Sequence, residues 1–279
     1  MEEFLNQTII WIAELDWVWL TEKIFIPIVV ALLAVRAALK RQAKNHQHQF
    51  QFKTYEEILN PINEAQDKSG TYMAILNGFA SQVSLNYTAQ QEGYPPTDLK
   101  RRPEDYIQKH HEYLKSIGRL MKSLESILII EPKLKIFITA LSSVHWDISQ
   151  CRDQISQATY SYLVKDLVGK NGENIQVLPE PVTLEEKERI EKIVADMNEI
   201  MIDGTCYIMD LQIELQNLLL GEVYGGKKLK HRVPVDPKKR AISLENYEEL
   251  KKHFKENHPL GQEQDRLIAT IKEQLKNAA

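Results

Sequence analysis

Residues 54–86 read TYEEILNPINEAQDKSGTYMAILNGFASQVSLN, and the apolar rhythm of this stretch sets the fold class. Tyr55, Ile58, Ile62, Ala65, Ser69, Tyr72, Leu76, Phe79, Val83 and Asn86 recur at steps of three and four. That spacing gathers side chains on one stripe of an α-helix. Thr54 with Glu57 forms a capping-box pattern, so the helix is expected to begin there. Ser69 and Asn86 are polar members of the stripe, and Pro61 marks an expected kink near its start. So narrow a stripe has to be buried against neighbouring helices or against a second copy of the chain.

The rhythm returns downstream. Pro103 opens a second segment with Ile107, His110, Leu114, Ile117, Met121, Leu124 and Leu128 in step. Past Pro132 come Leu134, Phe137, Leu141, Val144, Ile148, Cys151, Ile155, Ala158 and Tyr162, halted at Gly169 and Asn171-Gly172, with a loop expected from there through Pro179 and Pro181. Thr183 and Glu186 make another capping box. After them stand Ile190, Val194, Met197, Met201, Gly204, Ile208, Leu211, Leu215 and Leu218, closed by Gly221, Gly225 and Gly226. The expected fold is all-α, with residues 54–222 forming a four-helix, coiled-coil-like bundle. The tight turn at Glu131-Pro132 leaves two forms open: a hairpin, or one kinked rod joining the second and third helices. Residues 223–242 form a basic linker containing Pro234 and Pro237. In residues 243–279, Leu244, Tyr247, Leu250 and Phe254, then Leu267, Ile268, Ile271 and Leu275, indicate a helical hairpin turned at Pro259-Leu260-Gly261.

Upstream, residues 24–39 read IFIPIVVALLAVRAAL with Arg36 as the only charge. We read residues 24–44 as a single transmembrane anchor with a basic inner flank. Its apolar members are Ile24, Phe25, Ile26, Pro27, Ile28, Val29, Val30, Leu32, Leu33, Val35 and Leu39. The run is shorter than the ~20 residues of a full crossing, and Trp17 to Leu20 with the Lys23 stem extend it toward a tilted or slightly thinned span. Residues 1–23 would lie outside or in the interface: Glu2, Glu3, Glu14, Asp16 and Glu22 are acidic, and Trp11, Trp17 and Trp19 suit a headgroup belt. Arg36, Lys40, Arg41 and Lys44 follow the run, so the rest of the chain is expected on the cytoplasmic face of the cell membrane. A cleaved signal peptide would need a basic start, which this chain lacks. A buried helix of a soluble protein is the competing reading of so short a run. Residues 45–53, NHQHQFQFK, read as a juxtamembrane linker, with His46 and His48 as solvated side chains and not ligands.

Composition narrows the function. The 279 residues carry a net charge of −4, with 43% hydrophobic and 27% charged side chains, a globular balance with no overall pull toward nucleic acid. Cys151 and Cys206 match no zinc or redox spacing. Gly221 to Lys228 resembles a phosphate loop until its last position, where Lys228 replaces the Ser or Thr that would hold magnesium. It also follows a helix where a phosphate loop follows a strand. The di-iron Glu-x-x-His pair and the His-Glu-x-x-His motif do not occur in the sequence. No catalytic, cofactor-binding or metal residue is therefore assigned, and no cofactor is expected. His110 reads as a core imidazole bonded to a neighbouring helix. Lys227, Lys228, Lys230, Arg232, Lys238, Lys239 and Arg240 are candidates for anionic-lipid contact, since up-down threading returns them toward the bilayer.

The expected function is that of a membrane-anchored adaptor or regulatory partner. It would work through protein–protein contact or self-association of the helical seams, with the bilayer and a protein as partners. A self-assembling effector that perturbs the bilayer is the alternative, motivated by Arg36 and the short span. An enzyme with a site between helices, around His110 and Cys151, is the lesser one.

Overall fold

The computed structural model describes residues 26–94, 103–162, 165–177, 180–221, 223, 225–232, 241–259 and 261–262. Its helices are α1 (Ile26–Gln91), α2 (Pro103–Glu125), α3 (Lys135–Tyr162), α4 (Leu184–Leu215) and α5 (Tyr247–Asn257). A hairpin of β1 (Lys165–Val168) and β2 (Asn174–Val177) joins α3 to α4. The chain divides after Lys53 into two compact units. In the first, the described residues are helical throughout.

The second unit is the expected helical bundle. α2 and α4 flank α1, shown by Tyr72 meeting His110 at 3.1 Å and by Asn198 donating to Asn77 at 2.6 Å. α3 packs between α2 and α4 on the other side. Connections are up-down, so each helix is antiparallel to its chain neighbours. The α2–α3 link is a hairpin and not a kinked rod. Ile130 N–H and Glu131 N–H bond to the Ile127 carbonyl, and the Glu131 carboxylate accepts Lys133 N–H at 3.1 Å to start the turn at Pro132. Ser142 on α3 then reaches back to Met121 on α2.

The stripe from Tyr55 to Asn86 is buried in full, including Ser69 and Asn86 at 1% exposure each. The third stripe is buried except for half-covered Cys151. On α2 the buried line is Tyr106, His110, Tyr113, Ile117, Leu120, Leu124 and Ile127. Ile107, assigned inward from its spacing, is 39% exposed, and Leu114, Met121 and Leu128 are only half-buried. Tyr106 and Tyr113 occupy that side because an aromatic ring covers more core than an aliphatic chain. On α4 a π-helical turn over Gln216–Leu220 brings Leu219 and Leu220 into the core in place of Leu218. The wider turn rotates the face by about one residue.

Two local expectations are corrected. Residues 45–53, read as a linker, are helical, and Thr54 lies inside α1 and not at a helix start. The Gln, Lys and Ala side chains before it have good helix propensity, and neither Gly nor Pro interrupts residues 28–60. Pro61 lies inside α1. The stretch after α3 is an antiparallel hairpin and not plain loop, with Val168 opposite Asn174. Gly172, at φ +79°, takes the left-handed conformation its turn requires, and Gly172 N–H bonds to the Gly169 carbonyl at 2.9 Å. The second half of the expected C-terminal hairpin, with Leu267, Ile268, Ile271 and Leu275, lies outside the described residues.

Close helix approach centres on Gly204. A Cβ there would stand 3.0 Å from the Val144 methyl and 3.1 Å from the Tyr113 hydroxyl. Gly204→Leu is expected to cost about 2 kcal/mol of stability through overpacking. Urea unfolding followed by circular dichroism would read it, and an unchanged midpoint would contradict this packing.

Candidate functional site

Asp210 and Glu214 are one turn apart on α4 and so project from one face. They sit at 0% and 7% exposure, where a carboxylate survives only with partners. The chain after the bundle supplies them. Arg232 donates to Asp210 at 3.1 Å, and the Ile242 backbone N–H donates to the same oxygen at 2.9 Å. Leu244 N–H reaches Glu214 at 2.9 Å, and His231 Nε2 lies 2.8 Å from that oxygen. Asn217 completes the line, donating to the Leu229 carbonyl at 3.1 Å and accepting Leu229 N–H at 2.7 Å. Residues 229–232 and 241–244 are thus strapped across α4, largely by backbone groups. Burial pushes the Asp210 carboxyl above its ordinary value, and the Ile242 N–H and the Arg232 guanidinium pull it back.

The strap leads into α5. Ser243 caps the turn by accepting Glu245 N–H at 3.1 Å, and Ile242 and Leu250 are buried below it at 1% and 8% exposure. Phe254 meets Tyr207 of α4 edge-on at 6.3 Å. Near the C-terminal end of α5, His258 Nε2 lies 3.2 Å from Asp147 of α3. A cleft of ≈ 170 Å³ remains between α3, α4 and α5, lined by Ser143, Asp147, Asp203, Tyr207, Phe254 and His258 among others. Hydroxyl, carboxylate, imidazole and ring edges share it, without a converging set aimed at one atom. Among the described residues no group of three His, Cys, Asp or Glu side chains could hold a metal ion.

The second polar cluster lies inside the bundle. The Tyr72 hydroxyl is 3.1 Å from His110 Nδ1, and the hydroxyls of Ser69 and Thr205 pair at 3.1 Å. His110 is 3% exposed; burial first, then the charges of His111, Arg152 and His145, lower its pKa to about 4. It is therefore neutral at pH 7 and hydrogen-bonded through Nδ1 to the Tyr72 hydroxyl. Burial raises the Tyr72 and Tyr113 hydroxyls and the Cys151 thiol, so none is ionised near neutrality. The cavity beside His110, lined also by Arg152 and Thr159, is ≈ 10 Å³, the size of about one water. His110 bonds a neighbouring helix, as its place on a stripe implied, and the cavity beside it has no room for a substrate.

The chain matches no family model, no curated protein and no solved structure.

Of the residues singled out for lipid, Ile24 and Phe25 lie outside the described residues, as do Lys238, Lys239 and Arg240. Ile26 and Pro27 are helical. Ile28, Val29, Val30, Leu32, Leu33, Val35 and Leu39 are 51–64% exposed, and Arg36 is exposed among them. Among the described residues no helix is long and apolar enough to cross a membrane. Lys227, Lys228 and Lys230 are exposed, whereas Arg232 turns inward to Asp210. Asp210, Glu214 and Asn217 were not singled out from the sequence. The visible signal was a pair of acids one turn apart beside Leu211 and Leu215, inside an otherwise apolar stripe.

Proposed function

We propose that the chain is a single-span, membrane-tethered helical protein that acts at the cytoplasmic face through protein–protein contact, as an adaptor or regulatory partner. The observation that carries this reading is the uncovered apolar face of residues 28–39. Successive residues lie about 100° apart on a helix. Ile28, Val29, Val30, Leu32 and Leu33 therefore occupy more than half of its circumference, each 51% exposed or more. A helix apolar on so many sides is one that something apolar surrounds. Covering those side chains is worth on the order of 10 kcal/mol, enough to oblige a partner of some kind. Lipid fits best because the basic residues Arg36, Lys40, Arg41 and Lys44 lie toward one end of the stretch only. A full crossing would draw on residues before Ile26.

The bundle supplies the docking surface. Its helices already pair among themselves, which leaves the strap, the cleft and the outer faces for partners.

The test is membrane extraction and topology. The full chain with a C-terminal tag should stay in the pellet after carbonate washing, and protease added to intact cells should leave the tag uncut. Release into the wash, or cleavage from outside, would overturn the reading. Crosslinking from the same membranes then identifies what the bundle holds.

A further inference from the structure

Contacts between the helices fix which turns share an end of the bundle. Along α1 and α2, Glu64 meets Arg119 at 2.6 Å, Tyr72 meets His110, and Phe79 stacks edge-on with Tyr106 at 5.4 Å. Continuing this antiparallel register brings Tyr55 level with the turn Ile127–Ile130. Along α1 and α4, Asn77 meets Asn198, Ser69 meets Thr205, and Tyr55 accepts from Gln216 at 2.9 Å. The chain therefore enters the bundle, at Thr54, beside the α2–α3 turn and the C-terminal end of α4.

That end shows a pair of isoleucines to solvent. Ile129 is 90% exposed and its neighbour Ile130 48%, on a turn braced underneath by buried Ile127 and Leu134. Val223 and Leu229, just past α4, are 43% and 51% exposed. Between them Lys227 and Lys228 are exposed, and Lys230 follows. A single exposed apolar side chain is ordinary, but a braced pair beside a lysine-rich loop is the combination that suits a lipid interface. Opposing charges are present as well: Glu56 and Glu57 are exposed beside Tyr55. Glu131 accepts Lys133 N–H, Glu125 is exposed, and Glu245 lies 3.7 Å from Lys228 with both side chains more than three-quarters in water. So loose a pair leaves Lys228 available.

We propose that this end of the bundle docks on an anionic bilayer surface, with Ile129 and Ile130 entering the headgroup–acyl boundary and Lys227, Lys228 and Lys230 meeting lipid anions. The proposal rests on the membrane-tether reading, in which the chain joins the apolar stretch to the bundle at this end. Tether and tip act as two signals: one holds the protein to the membrane, the other sets the bundle's posture according to surface charge.

The test uses the full chain carrying Ile129→Cys and a polarity-sensitive fluorophore, with Cys151→Ser and Cys206→Ser to leave one thiol. It is reconstituted into vesicles of phosphatidylcholine alone or with phosphatidylserine, each bearing a lipid-chain quencher. Vesicle flotation is read on the same samples. With phosphatidylserine, the emission at 129 should shift to the blue and be quenched. A label placed by Val168→Cys, on the hairpin at the other end, should not respond. Replacing Lys227, Lys228 and Lys230 by Gln should return the signal at 129 to its phosphatidylcholine value. Vesicles that float with the protein while position 129 stays in water would overturn the docking and leave the tether standing. Protein that fails to float at all would overturn both.

Discussion

Lowering the pH from 7 to 4 is expected to remove about 3 kcal/mol of stability from the bundle through His110 alone. Its pKa falls from 6.5 to about 4 on folding, because the imidazole is buried against Tyr72. The folded chain thus keeps it neutral while the unfolded chain takes up a proton below 6.5. Stability lost in this way begins near the unfolded value and is fully lost once the pH has dropped past the folded one. At pH 5 the loss should already be about 2 kcal/mol. His110→Gln keeps a hydrogen-bonding partner for Tyr72 but does not titrate, so its urea midpoint should fall less between pH 7 and pH 5 than that of the parent. Parallel pH dependences in the two chains would show that His110 is not buried neutral. Glu112 marks the contrast. Lys109 first, then Lys68 and Gln108, hold its carboxyl down to about 2, but it stands at the surface where salt screens the interaction.

The second large effect is expected at Asp210. Asp210→Ala leaves the Arg232 guanidinium and the Ile242 N–H facing a site without an acceptor. Arg232 is 21% exposed, so its stranded charge stays partly hydrated, and the loss is expected to be about 2 kcal/mol, mainly from the unsatisfied buried donors. The surface pair Arg119–Glu64, with side chains 53% and 35% exposed, should cost under about 1 kcal/mol when removed. Amide hydrogen exchange separates strap from bundle. In Asp210→Ala the Ile242 and Leu244 amides should lose protection while amides in the middle of α3 keep most of theirs. Unchanged protection at Ile242 would mean that the carboxylate does not hold the strap.

The fold was legible where one helical stripe repeats without interruption. Tyr55 to Asn86 and Ile190 to Leu215 keep their spacing over many turns, and burial follows the spacing residue by residue. It was less legible where chemistry is ambiguous at a single position. Tyr106 and Tyr113 carry a hydroxyl and were passed over for Ile107 and Leu114, although ring area outweighs the hydroxyl in a core. Asn45 to Lys53 looked like linker because it is polar, but polarity does not stop a helix that lacks Gly and Pro. The π turn at Gln216 has no spacing signal of its own. The strap was hidden for another reason. Arg232 and Ile242 meet Asp210 only after the chain reverses direction, and no local pattern records such a reversal. The apolar stretch before Leu39 is the opposite case: its composition is plain in the sequence, and its described apolar side chains from Ile28 to Leu39 are exposed.

The most direct measurement separates the two parts. The full chain and a chain of residues 54–279 are mixed with neutral phosphatidylcholine vesicles and floated, with circular dichroism taken on each fraction. The expected result is that the full chain floats, while residues 54–279 stay in solution and give a strongly helical spectrum. A shortened chain that is unfolded or rich in sheet, or a full chain left at the bottom of the gradient, would contradict the picture of a self-sufficient bundle held to lipid by one apolar segment.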